Sequence, residues 1–78
     1  MPLEDEINTI LCIELRKIKP DSILPHHKIR EQLGLELKSA PRIIHALEDK
    51  YQIELSDNEL SPLTTVQDLY DCIKAKRL

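Results

Sequence analysis

Leu3, Ile7, Ile10, Leu11, Leu15 and Ile18 recur at steps of three and four residues. That spacing sets them on one side of a 3.6-residue turn and predicts a first helix, ended by Pro20. Glu4, Asp5 and Glu6 fall in its first turn and Arg16, Lys17 and Lys19 in its last, each set matched to the helix dipole. Cys12 and Ile13 lie off the stripe. Residues 20–36 form a long connection, broken by Pro20-Asp21-Ser22 and Pro25, with Ile23, Ile29, Leu33 and Leu35 available to pin it. Lys28 to Leu33 fits one helical turn closed by Gly34 in a left-handed conformation. Residues 39–51 read as a second helix: Ala40, Ile43, Ile44, Leu47 and Tyr51 make its apolar stripe, and Arg42, His45 and Asp49 share the solvent side. Ser39 is expected as its N-cap, with Pro41 in the first turn.

Ile53 and Leu55 then lead through Ser56-Asp57 into a short turn ending at Leu60, and Ser61-Pro62 breaks it. A last helix starts at Thr64 or Thr65, with Thr64 and Gln67 read as a capping box. Val66, Leu69, Tyr70 and Ile73 give it an amphipathic face. No stretch alternates with period two long enough to argue a sheet. The expected architecture is all-α: three main helices plus a short one, with a long first loop.

Composition narrows the function. Seventy-eight residues make a single domain, 1–78, with one aliphatic core: 13 Leu and 10 Ile against two Tyr and no Phe or Trp. A net charge of -3 argues against nucleic acid as a partner, which calls for a basic stripe. No apolar run reaches a membrane span, and the acidic start does not read as a secretory signal. Two cysteines, Cys12 and Cys72, make no disulfide framework and no CxxC metal pair. A cytoplasmic monomer is expected.

No catalytic or metal constellation stands out, and no enzyme is expected. His26 and His27 are adjacent in a loop without ligands at metal spacing, so solvated histidines are the plainer reading. His45 reads as a surface residue of the second helix. The acidic clusters Glu4-Asp5-Glu6 and Glu48-Asp49 read as solvated faces.

Leu33-Gly34-Leu35-Glu36-Leu37, then Ala46-Leu47-Glu48-Asp49-Lys50-Tyr51, then Ile53-Glu54-Leu55, then Leu63-Thr64-Thr65-Val66-Gln67-Asp68-Leu69 resembles, in order, the acyl carrier protein family. That family reads approximately L-G-hydrophobic-D-S-L, A-L-E-x-x-F, x-E-I and T-T-V-x-D-hydrophobic. The resemblance covers nearly the whole chain. It implies a four-helix carrier fold with a partner-binding face centred on the second long helix. It also implies a serine, that of D-S-L, carrying 4′-phosphopantetheine.

Three departures change the functional expectation. Counting back from Tyr51 without a gap, Leu37 stands at the serine position, Glu36 for the Asp and Lys38 for the following Leu. Leucine has no hydroxyl to esterify. Pro41 falls where the family continues its helix; a helix begun at Glu36 would lose a hydrogen bond and clash with the carbonyl of Leu37, at about 3 kcal/mol or more. Arg42 replaces an acidic recognition residue. The leading expectation is therefore a binding module without 4′-phosphopantetheine, presenting Glu36, Leu37, Arg42, His45, Glu48 and Asp49 to a protein partner. The alternative is a working acyl or aminoacyl carrier in fatty-acid or polyketide-type biosynthesis, with phosphopantetheine on Ser39. A small helical DNA-binding domain is a third reading, disfavoured by the acidic balance.

Overall fold

Arg16 takes the left-handed conformation (φ 59°, ψ 39°) and its N–H bonds the carbonyl of Cys12, so the first helix, α1 (Leu3–Leu15), stops well before Pro20. A left-handed residue turns the chain out of the helix and ties off its last carbonyls. The computed structural model describes residues 2–16, 19–36 and 38–77. Lys17, Ile18 and Leu37, each given a role by the sequence, lie outside the described residues. After α1 come a single 3-10 turn, Pro20–Ser22, and then α2 (Ala40–Tyr51), α3 (Asp57–Leu60) and α4 (Val66–Lys76). Among the described residues there is no strand, only an isolated bridge between Lys28 and Thr65. The expected all-α bundle of three main helices and a short one is the observed fold.

The predicted stripes meet in one core. Ile7 and Leu11 of α1, Ile43, Ile44 and Leu47 of α2, and Val66, Leu69, Tyr70 and Ile73 of α4 are buried together. Leu3, Leu15 and Ile53 pack at its margin. Cys12 is buried as well, against the expectation that it points away. The 3-10 turn folds against α1, and Cys12 joins the same core as Ile7 and Leu11, so the covered face of α1 is wider than its apolar stripe. Ile13, also off the stripe, is exposed.

The long loop is held at both ends of its span. Ile23, Ile29, Leu33 and Leu35 are buried as anchors. The N–H groups of Gln32 and Leu33 bond the Lys28 carbonyl, and Gly34 closes the turn at φ 78°. The loop also serves α4, whose first N–H groups have no partner within the helix. Val66 N–H donates to the carbonyl of His27 and Gln67 N–H to that of Pro25, both at 2.9 Å. The Arg30 guanidinium donates to the carbonyls of Leu60, Ser61 and Leu63, strapping the loop to the α3–α4 linker.

The cap of α4 is one residue later than the sequence suggested. Thr65, not Thr64, is the N-cap, and its partner is Asp68, not Gln67. Asp68 N–H donates to Thr65 Oγ1, while the Asp68 carboxylate accepts from the N–H groups of Thr64 and Thr65. A carboxylate takes both donors with charge assistance, which the Gln67 amide would not match. Gln67 instead donates to Asp71.

Candidate functional site at the start of α2

Proline cannot donate a backbone hydrogen bond, so Pro41 fits only where a helix leaves its N–H groups free. It sits in the first turn of α2, as expected from its position. Ser39 departs from its expected role. It already has helical geometry (φ -95°, ψ -18°), and its side chain makes no cap to α2. In a helical residue the side chain leans toward the N-terminus. The Ser39 hydroxyl therefore reaches back to Glu36, accepting from its N–H at 3.1 Å and donating to its carbonyl at 3.2 Å. The N–H groups of Ser39 and Ala40 bond the same carbonyl, both at 3.0 Å. Ser39 closes a turn rather than capping a helix.

The proposed docking residues divide into two groups. Arg42, His45 and Asp49 are exposed on one side of α2, at i, i+3 and i+7. Glu48 is half-buried, and its carboxylate accepts the N–H of Leu55 at 3.0 Å, which fixes the chain leaving α2. Its first duty is structural. Glu36 is exposed and pairs with Lys38 at 3.4 Å.

Two clefts flank this end of α2. One, of about 430 Å³, lies between the end of α1 and the start of α2 and is lined by Glu14, Leu15, Arg16, Gly34, Glu36, Lys38, Ser39 and Arg42. The other, of about 400 Å³, is bounded by Arg30 and Leu35, Ala40 and Pro41, and residues of α3. Sequence reasoning found Glu36, Ser39 and Arg42 but not Arg16, which is distant along the chain and reaches the groove only because α1 ends where it does.

The remaining candidate chemistry is quiet. Among the described residues no group of His, Cys, Asp and Glu could hold a metal ion. His27 Nδ1 accepts the N–H of Leu24 and so closes a loop turn. Cys12 and Cys72 are free thiols, and burial pushes both above the usual thiol pKa, away from the reactive thiolate.

Comparison with known proteins agrees with this architecture. A family model described as a phosphopantetheine attachment site matches residues 5–73. The chain belongs to that acyl-carrier-like family. It is 29% identical over 73 residues to an acyl carrier protein of Campylobacter fetus subsp. fetus, covering 94% of each chain. It is 29% identical over 72 residues to an acyl carrier protein of Thermosynechococcus vestitus, covering 92% of this chain and 88% of that protein. None of the described helices of this acyl-carrier-like chain is long and apolar enough to cross a membrane.

Phosphopantetheine attaches through a serine oxygen, so the fit is decided at Ser39. That hydroxyl is spent twice within the Glu36–Ser39 turn, once as acceptor and once as donor. Esterification would remove the O–H donor to the Glu36 carbonyl.

Proposed function

We propose that this acyl-carrier-like chain is a binding module that carries no 4′-phosphopantetheine and presents α2 to a protein partner. The single observation that supports it most is the engagement of the Ser39 hydroxyl with both backbone groups of Glu36. Leu37 stands at the family's serine position in ungapped register, on the Leu33-Gly34 side and on the Ala46-Leu47-Glu48 side alike, and offers no oxygen. Arg42 puts a cation on the exposed strip of α2 where the family has an acid. The module acts as a single-domain cytoplasmic monomer and catalyses nothing itself. One observation favours the second reading, a carrier modified on Ser39: this serine directly precedes α2 and lines its groove.

The test is intact mass after incubation with coenzyme A and a broad-specificity phosphopantetheinyl transferase. Leu37→Ser restores the missing oxygen. We expect a small fraction to gain one phosphopantetheine, and a larger fraction when Pro41→Val is added to let the helix begin earlier. Modification of Ser39 in preference to the new serine would reverse the assignment.

A further inference from the structure

Two arginines line the groove between α1 and α2, and neither has an ion-pair partner among the described residues. They are Arg16, the exposed left-handed residue that ends α1, and Arg42, exposed in the first turn of α2. Lys38 on the same rim is paired with Glu36, so those two cancel. Glu14 is the one remaining carboxylate among the described lining residues. The groove is thus net cationic in a chain whose net charge is -3. Its floor supplies one hydroxyl, Ser39, already bound to Glu36.

We infer that this groove is the docking point for an acidic segment of a partner protein, Asp or Glu side chains entering between Arg16 and Arg42. The inference rests on the reading of α2 as the docking face and gives that partner its chemistry. Guanidinium groups bind carboxylates with paired, charge-assisted hydrogen bonds, and unpaired ones have no internal bond to break first. A nucleic acid does not fit as occupant. The carboxylates elsewhere on the chain would repel a long polyanion, whereas a short acidic segment meets only the local field.

The experiment is calorimetric titration of the full chain with a short glutamate-rich peptide, its glutamine counterpart and inorganic phosphate, each at low and high salt. We expect binding of the glutamate peptide alone, weakening as salt rises. Arg16→Gln and Arg42→Gln should each weaken it about two- to fivefold, the range of exposed ion pairs. Lys50→Gln, which removes an exposed cation at the far end of α2, should leave it unchanged. Circular dichroism of every variant shows whether the helices persist. Equal weakening by Lys50→Gln and Arg42→Gln, equal binding of both peptides, or binding of phosphate without the peptide would each overturn the inference. This readout is separate from that of the proposed function: a phosphopantetheine adduct appears as mass, and loss of peptide binding does not.

Discussion

Tyr70 is the largest fully buried side chain, and its hydroxyl donates to the side-chain oxygen of Asn8, the one buried polar residue among those described. Each group makes the other's burial tolerable, because an unpartnered polar atom in an aliphatic core pays its full desolvation cost. Burial first, and then the acidic start of α1, raises the Tyr70 pKa, so the phenol stays a donor at neutral pH. Tyr70→Phe leaves the Asn8 oxygen without this partner. We expect a loss of about 1–3 kcal/mol in urea unfolding, and recovery of much of it when Asn8→Leu is added. An unchanged midpoint for Tyr70→Phe would show that the bond contributes nothing. The sequence marked Tyr70 as a core position but gave Asn8 no role, since an Asn on a helix is ordinarily solvated and its partner lies 62 residues away.

At the level of elements, the start of α4 ties stability to pH. The N–H groups of Thr65 and Thr64, in that order of effect, hold the Asp68 carboxyl below its usual pKa. A depressed folded-state pKa means that the charged form is the stabilised one. The contribution is complete above the unfolded value of about 3.9 and is lost as pH falls through the lower folded value. Thermal unfolding should therefore show a falling midpoint below about pH 4 in the wild type. Asp68→Ala should start from a lower midpoint at neutral pH and lose less on acidification; parallel curves would contradict the role of this cap. The stripes of α1, α2 and α4 were legible because 3.6-residue spacing is a local property. Their ends were less so. Thr64 and Thr65 are equivalent by composition, and only backbone angles choose between them. Arg16 carries no glycine-like signal for the left-handed conformation that ends α1. Cys12 looked exposed because its burial in the common core depends on how the elements pack, not on spacing within α1.

Over the whole molecule, we propose a family fold with a rewritten site. The proposed departures at Leu37, Pro41 and Arg42 rest on residue order alone, with the register counted from the flanking motifs. What Ser39 does was not legible there: cap and turn use the same hydroxyl, and the choice lies in the backbone of residues 36–39. Nor was the groove, which joins Arg16 to Arg42 only once α1 packs against α2. Both features bear on the central claim that this chain works without the prosthetic group its family model describes. The most direct measurement is the intact mass of the protein recovered from the cells that make it, followed by peptide mapping across residues 35–42. We expect the peptides covering residues 35–42 at their unmodified masses, Ser39 included. A species heavier by one phosphopantetheine, with the adduct mapped to Ser39, would contradict the claim and make the chain a carrier.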